Sequence, residues 1–177
     1  MKITFKEKAK QFCIDAHDSI GQRRKYTHEP YSNHPINVAY LVECVGGTQE
    51  MICAAYLHDV LEDVMPINPA YNAMAILEEF NVNIYHMVLD LTDTSTPMDG
   101  NRESRKAAER DRLSDCSDEV QTIKLADLID NSLTIVKYDP LFAKIYLKEK
   151  RELLNVMKGG NIMLWNIANY ILSKRGY

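Results

Sequence analysis

Residues 53–63 read CAAYLHDVLED, and they combine an apolar helical pattern with four ionisable groups near the end. These groups are His58, Asp59, Glu62 and Asp63. Each residue of a regular α-helix turns by about 100°, so the four groups fall within an arc of about 140°. The preceding turn beside this arc is rich in small side chains. The stretch is therefore typical of a helix that lines a polar pocket.

Apolar residues recur at helical spacing through most of the chain, and no convincing alternating strand pattern emerges. The sequence therefore predicts an all-α fold. Gly and Pro punctuate the helices, Thr48 is a plausible N-cap, and the composition of residues 92–100 predicts a loop without regular structure. The predicted helices cover residues 3–20, 35–45, 48–65, 70–80, 83–91, 101–113, 118–137, 140–157 and 161–174.

The composition predicts one globular domain over residues 1–177, because 46% of the residues are hydrophobic and 26% are charged. No apolar run is long enough to span a membrane, and the N-terminus lacks the apolar segment of a signal peptide, so we expect a cytoplasmic protein. A net charge of −4 argues against binding to nucleic acid. The four cysteines show no CxxC spacing, which disfavours a disulfide framework.

Two further stretches supply candidate metal ligands. His34 directly precedes the proline that begins the second helix, and Asp127 shares a polar stripe with Lys124 and Asn131 at spacing i, i+3 and i+7. Two imidazoles and two carboxylates would suit a six-coordinate metal with room for water and a phosphate oxygen. Ordinary roles stay open, since His34 could cap a helix and Asp127 could pair with Lys124. The candidate ligands are His34, His58, Asp59 and Asp127.

A second His-Asp pair, His17-Asp18, lacks supporting acids, and we interpret it as a chance occurrence. Five motifs occur in an order that resembles the HD-domain hydrolases of the RelA/SpoT type, and within them the single-domain small alarmone hydrolases. They are RRK at 23–25, EPYSNHP at 29–35, AAYLHDVLED at 54–63, NR at 101–102 and KLADLIDN at 124–131.

The resemblance implies an HD-domain helical bundle, one manganese ion and hydrolysis of a nucleotide substrate. The long enzymes of this type commonly carry Arg and His where this chain has Leu128 and Asp130. The chain is also too short for the synthetase domain of the long members, so hydrolysis alone is implied. The sequence does not fix the oligomeric state.

The expected catalytic residues are Glu62 and Asp63, one turn after the His-Asp pair, where they would orient or deprotonate the attacking water. A solvated helix end is the alternative. The resemblance suggests that the RRK stretch reaches the nucleotide, with an arginine against the base. A cationic stripe after residue 100 is a second phosphate candidate, although mixed-charge stripes are commonly solvated faces. The expected substrate-binding residues are Arg23, Arg24, Lys25, Asn101, Arg102, Arg105, Lys106, Lys124 and Asn131.

Three functions remain open on the sequence. The resemblance implies removal of the 3′-pyrophosphate of a guanosine or adenosine alarmone. A different HD phosphohydrolase would act on the 2′-phosphate of NADPH or as a nucleotidase, with the same metal chemistry. A catalytically silent nucleotide-binding module is the third possibility. The presence of Glu62 and Asp63 speaks against the third, because binding alone does not require an acid that activates water.

Overall fold

Helices make up most of the chain in the computed structural model, which describes residues 3–174. The predicted all-α fold is confirmed. The helices are α1 (Phe5–Ser19), α2 (Asn33–Cys44), α3 (Gln49–Leu57), a π-helical segment (Val60–Val64, the π-turn), α4 (Ala73–Glu79), α5 (Val82–Leu91), a 3₁₀ turn (Pro97–Asp99), α6 (Arg102–Ser114), α7 (Asp118–Tyr138), α8 (Pro140–Val156) and α9 (Ile162–Lys174).

Two compact units divide the described residues, one ending at Thr92 and the other beginning at Asp93. The single domain over residues 1–177 stays a prediction, and residues 1–2 and 175–177 of that range lie outside the described part of the chain. Within residues 3–174, no helix is long and apolar enough to cross a membrane.

Helix α3 is the centre of the first unit, where α1, α2 and α5 pack against it. Its residues from Met51 to Leu57 are all buried. The predicted cap is confirmed, because the Thr48 hydroxyl accepts a hydrogen bond from the Met51 N–H at 3.2 Å. Thr4 caps α1 in the same way and exchanges hydrogen bonds with Glu7. These caps fix where the two helices begin.

The predicted helix over residues 48–65 is wrong in its second half. The α-helix ends at Leu57, and in the π-turn the Met65 N–H donates to the Val60 carbonyl at 3.0 Å. His58 Nδ1 lies 2.8 Å from the carbonyl oxygen of Ala55, so a side chain engages the last turn of α3. A side chain that enters the backbone hydrogen-bond ladder is a common cause of such irregularity. π-Helical turns are frequent at functional sites.

Helix α7 is the centre of the second unit, and α6, α8 and α9 pack against it. The predicted break at Gly159-Gly160 is confirmed and permits a close approach to α7. A Cβ on Gly160 would lie 3.2 Å from the main-chain carbonyl carbon of Gln121. The Gln121 side chain also accepts a hydrogen bond from the Gly159 N–H at 2.9 Å. The glycines therefore allow α9 to return along α7.

The loop before α6 is more regular than its composition predicts. Residues Pro97–Asp99 form a 3₁₀ turn, because the side chains of Thr96 and Asp99 satisfy main-chain groups at its start. The Thr96 N–H donates to Asp99 Oδ2 at 2.7 Å, and the Met98 N–H donates to the Thr96 hydroxyl at 3.2 Å. This reciprocal capping is a local interaction that composition alone does not reveal.

Candidate metal centre and its surroundings

Three of the four predicted metal ligands lie together in the first unit. His34, His58 and Asp59 each offer one ligand atom, and these atoms lie within 4.8 Å of one another. Asp59 Oδ2 is 3.5 Å from His34 Nε2 and 3.2 Å from His58 Nε2. Both imidazoles are buried and the carboxylate is half-buried. We call this group the His34–His58–Asp59 cluster.

Local structure places both histidines of the cluster, and a side-chain contact orients the ring of His58. His34 lies in the first turn of α2, inside the helix rather than at its N-cap, and its N–H donates to the Tyr31 carbonyl at 2.9 Å. His58 follows α3, where the contact of Nδ1 with the Ala55 carbonyl leaves Nε2 directed toward Asp59. A hydrogen bond at one ring nitrogen commonly fixes the other nitrogen as the metal ligand.

The donor chemistry of the cluster fits a divalent metal. Two neutral imidazoles and a carboxylate are ligands of transition-metal ions such as Mn²⁺, Fe²⁺ and Zn²⁺. The arrangement therefore matches the ligand set of a metal site, with Asp127 predicted from the sequence as a further ligand.

Tyr31 is a contact of the cluster for which the sequence assigned no role. Its hydroxyl donates to Asp59 Oδ2 at 2.8 Å, and its ring lies 5.9 Å from the ring of His34. The motif EPYSNHP carries the signal, because Tyr31 stands three residues before His34 at the entrance to α2. The hydrogen bond fixes the orientation of the Asp59 carboxylate.

The two predicted catalytic acids occupy different environments on the π-turn. Glu62 is exposed, whereas Asp63 is half-buried and its Oδ2 accepts a hydrogen bond from Gln22 Nε2 at 2.8 Å. Burial and then the nearby charge of Asp59 raise the pKa of the Asp63 carboxyl above its ordinary value. The predicted arc of about 140° does not apply, because the segment departs from α-helical geometry.

The RRK stretch lies in a tight loop of the same unit. Arg23 and Pro30 form an isolated β-bridge, and the Arg24 N–H donates to the Glu29 carbonyl at 2.9 Å. The guanidinium of Arg24 lies 5.8 Å from the centre of the Tyr31 ring. Because Tyr31 contacts Asp59, this loop places Arg24 one side chain away from the His34–His58–Asp59 cluster. Lys25 lies over the ring of Tyr26.

The predicted polar stripe on α7 is present in the second unit. Asp127 is buried, Lys124 Nζ lies 2.9 Å from its Oδ2, and Asn131 Nδ2 donates to its Oδ1 at 2.6 Å. The pairing of Asp127 with Lys124 that the sequence left open therefore occurs. The roles of Asp127 as a metal ligand and of Lys124 and Asn131 in substrate binding stay predictions.

The predicted substrate-binding residues at the start of α6 have partners within the second unit. These residues are Asn101, Arg102, Arg105 and Lys106. Arg102 makes a two-pronged contact with Glu149, from Nε at 2.6 Å and from the terminal nitrogen at 2.9 Å. Asn101 is the N-cap of α6 and accepts from the Ser104 N–H. Arg105 donates to the Gly100 carbonyl at 3.1 Å. These contacts give the residues local roles at the start of α6, and their contact with substrate stays a prediction.

Glu109 is a buried acid within the mixed-charge stripe of α6, for which a solvated face was the open alternative. Lys106 pairs with it directly, and Lys124 Nζ lies 3.9 Å away. Burial opposes its ionisation, but the charges of Lys124, Lys150 and Lys106 outweigh burial and hold the pKa of Glu109 below its ordinary value. The available signal was its spacing from Leu113, which faces the core one turn later on α6.

Comparisons with known proteins agree with this architecture. Residues 9–140 match the family model of the HD domain, so the chain belongs to the HD domain family. It is 26% identical to guanosine-3′,5′-bis(diphosphate) 3′-pyrophosphohydrolase MESH1 of Xenopus tropicalis, over 95% of this chain and 93% of that protein. A solved metazoan ortholog of SpoT, described as hydrolysing ppGpp, superposes with a TM-score of 0.85, at 24% identity, covering 99% of this chain and 98% of that one. The HD-domain helical fold is thereby confirmed.

Longer relatives match over part of their length. The match to the guanosine-3′,5′-bis(diphosphate) 3′-pyrophosphohydrolase of Aquifex aeolicus is 29% identical and covers 92% of this chain but 22% of that protein. The match to a probable enzyme of the same name in a Synechocystis strain is 48% identical and covers 29% of this chain and 7% of that protein. The chain therefore spans a small part of these two relatives.

Proposed function

We propose that the chain is a metal-dependent hydrolase that removes the 3′-pyrophosphate of a guanosine or adenosine alarmone. The products are pyrophosphate and a nucleoside 5′-phosphate. The observation that carries the proposal is the His34–His58–Asp59 cluster, with the His58 ring held by the Ala55 carbonyl, in a chain of the HD domain family. The agreement with the Xenopus protein over nearly the full length of both chains supports the same substrate class.

The proposed cofactor is one manganese ion held by the His34–His58–Asp59 cluster, and Asp127 is the predicted fourth ligand. A bound divalent ion supplies neutralisation of phosphate charge and activation of water. The chain orients the donors: Ala55 fixes the ring of His58, and Tyr31 fixes the carboxylate of Asp59. A free nucleotide as substrate, rather than nucleic acid, and a cytoplasmic location belong to the same proposal.

The two acids of the π-turn orient the attacking water and accept its proton. Hydrolysis transfers the pyrophosphoryl group from the ribose 3′ oxygen to water, so the water loses a proton and the 3′ oxygen gains one. In the proposal, Glu62 accepts the proton of the water, and Asp63 orients that water. Glu62 is exposed and so open to solvent, whereas Asp63 is anchored to Gln22. Arg23, Arg24 and Lys25 then hold the nucleotide.

A product assay tests the proposal. The manganese-loaded protein is offered guanosine and adenosine 3′-pyrophosphates and NADPH, and pyrophosphate and orthophosphate are measured separately. We expect pyrophosphate from at least one alarmone, and Asp59→Ala serves as the matched inactive control. Orthophosphate from NADPH alone would assign the chain to the alternative phosphohydrolase class. Nucleotide binding without any product would assign it to the silent binding modules.

A further inference from the structure

A chain of side-chain hydrogen bonds leads from the interior of α1 to the π-turn. His17 is fully buried in α1, and its Nδ1 lies 2.6 Å from Gln22 Oε1. Gln22 Nε2 in turn donates to Asp63 Oδ2 at 2.8 Å. We propose that Gln22 is a positioning residue for the Asp63 carboxylate, and that His17 holds Gln22 in the orientation that this requires. The proposal rests on the proposed function, in which Asp63 orients water.

The chemistry of the acceptors fixes the direction of both hydrogen bonds that link His17, Gln22 and Asp63. A carboxylate only accepts, so the Gln22 amide must present its N–H₂ to Asp63. Its carbonyl oxygen then faces His17 and also only accepts, so His17 must carry its proton on Nδ1. Burial lowers the pKa of His17, which favours the neutral ring with a single proton. The proton on Nδ1 therefore determines which end of the amide reaches Asp63.

The main chain holds Gln22 in place on both sides. Its N–H donates to the His17 carbonyl at 3.0 Å, and its own carbonyl accepts from the Tyr31 N–H at 3.2 Å. Gly21 makes the turn between α1 and Gln22 with a φ of +63°, a left-handed conformation that glycine adopts without strain. Gln22 is thereby tied to Tyr31, whose hydroxyl binds Asp59. One short loop thus anchors both Asp59 and Asp63.

The unpaired ring nitrogen of His17 indicates that this residue does more than fill space in the core. The ring is completely buried, and among residues 3–174 its Nε2 has no hydrogen-bond partner. An unsatisfied buried polar atom is destabilising relative to a satisfied one. An apolar residue of similar volume would avoid this cost, but it could not donate to Gln22. The polar contact of Nδ1 is therefore the feature that distinguishes His17 from a core residue.

The test compares two identical substitutions in one protein. Gln22→Leu removes the amide that binds Asp63, and Gln11→Leu removes an amide that donates to Asp15 at the same 2.8 Å on the exposed face of α1. We expect Gln22→Leu to lower kcat by about 10-fold to 100-fold, with KM within about twofold and bound manganese unchanged, the scale of a lost orienting contact. Gln11→Leu should match the wild type. Equal kcat values for the two variants would overturn the proposal.

A double-mutant cycle separates positioning from a general loss of stability. If Gln22 acts through Asp63, Gln22→Leu should cause no further loss of kcat in an Asp63→Asn background. His17→Leu should reproduce Gln22→Leu, whereas His17→Asn, which keeps an N–H donor, should retain more activity. Multiplicative losses in the Gln22→Leu, Asp63→Asn double variant would contradict the proposal.

A spectroscopic measurement tests the hydrogen bonds without substrate or metal. In imidazole ¹⁵N–¹H spectra of the metal-free protein, we expect the His17 proton on Nδ1, with the signal assigned by its absence in His17→Leu. Gln22→Leu should shift that signal and leave the others in place. A proton on Nε2 in the wild type would overturn the proposal. If this spectrum is as expected but the wild type releases no pyrophosphate, the proposed function is wrong and the hydrogen-bonded chain stands.

Discussion

The imidazole of His58 joins two parts of the first unit through its two nitrogens. Nδ1 contacts the carbonyl of Ala55 at the end of α3, and Nε2 lies 3.2 Å from Asp59. The same ring thus contributes to the departure from α-helical geometry and to the candidate metal site. His34 reaches Asp59 from the start of α2. Removing either ring should therefore abolish metal binding while the protein still folds.

The first prediction concerns these ligands. We expect His58→Ala to lose bound manganese and activity together, because it removes one of few ligands, and Asp127→Ala to do the same. His17→Ala should keep the metal, since His17 is not among the three clustered residues. Metal analysis of the purified variants checks this. Full occupancy in His58→Ala and Asp127→Ala, or loss of metal in His17→Ala, would show that the wrong residues have been chosen.

The second prediction concerns Glu62, which is exposed on the π-turn. Glu62→Gln should keep the metal and lower kcat by about 10²-fold or more, the usual scale for losing a general acid or base. KM should change little, because the amide has nearly the size of the carboxylate. Steady-state kinetics with manganese measures both constants. A kcat near that of the wild type would leave Glu62 as a solvated acid.

Among the helices, the cations at the start of α6 have two possible roles, which are binding of substrate phosphate and structural ion pairing. Arg102 makes a two-pronged contact with Glu149, and its guanidinium lies 5.4 Å from the ring centre of Phe142. A contact of this geometry can be a structural ion pair, or it can hold an arginine ready for a phosphate. The two roles differ in what happens when Glu149 loses its charge.

The third prediction uses that difference. Arg102→Glu should raise KM steeply at low salt, since it replaces an attraction to phosphate with a repulsion, whereas Arg112→Glu on the same helix should matter little. Glu149→Gln keeps Arg102 and removes its competing carboxylate, so KM should fall if Arg102 binds phosphate and stay unchanged if the pair is only structural. The contrast should shrink as salt rises, because exposed charges are screened over about 8 Å at physiological ionic strength. Equal KM values for Arg102→Glu and Arg112→Glu would remove α6 from the substrate site.

The elements also show what the sequence could and could not predict. Caps such as Thr48 and breaks such as Gly159-Gly160 act locally, and they correctly marked where helices begin and end. The π-turn escaped prediction because hydrophobic periodicity does not register contacts such as that of the His58 ring with the Ala55 carbonyl at the end of α3. The grouping of His34, His58 and Asp59 was predictable from residue type, since His34 directly precedes a helix-starting proline and His58-Asp59 begin the run of ionisable groups that ends at Asp63.

The sequence did not reveal the roles of two buried ionisable residues, His17 and Glu109. His17 looked like a chance His-Asp pair, because its partner is Gln22 in the next loop rather than the adjacent acid. The stripe that holds Glu109 left a solvated face open, because two of its three lysine partners lie on α7 and α8 and are distant in sequence. In both cases the decisive contact depends on tertiary packing, which residue spacing within one helix does not reveal.

At the scale of the whole molecule, the buried charges of the second unit link stability to pH, and this gives the fourth prediction. Glu109 is buried among lysines that hold its pKa below the ordinary value of about 4.3. Its contribution to the free energy of unfolding is therefore fully present above about pH 4.3 and is lost as the pH falls through the lower pKa of the folded state. Glu109→Gln should cost about 3 kcal/mol near pH 7, because it leaves lysine charges uncompensated.

Urea denaturation of the wild type and of Glu109→Gln at several pH values checks this prediction. The difference between the two proteins should shrink as the pH falls below about 4.3, since the wild-type carboxyl also becomes neutral. Glu103→Gln, at an exposed position of the same helix, is the matched control and should change stability by no more than about 0.5 kcal/mol. A cost for Glu109→Gln that does not vary with pH would mean that packing, and not charge, is responsible.

In the proposed function, one metal ion in the His34–His58–Asp59 cluster enables release of pyrophosphate. The most direct test titrates manganese into the metal-depleted protein and measures bound metal and pyrophosphate release from a 3′-pyrophosphorylated guanosine or adenosine nucleotide in the same samples. We expect activity to rise in proportion to bound manganese and to saturate at about one ion per chain. Pyrophosphate release without bound metal, or full occupancy with no pyrophosphate from either nucleotide, would contradict the proposed function.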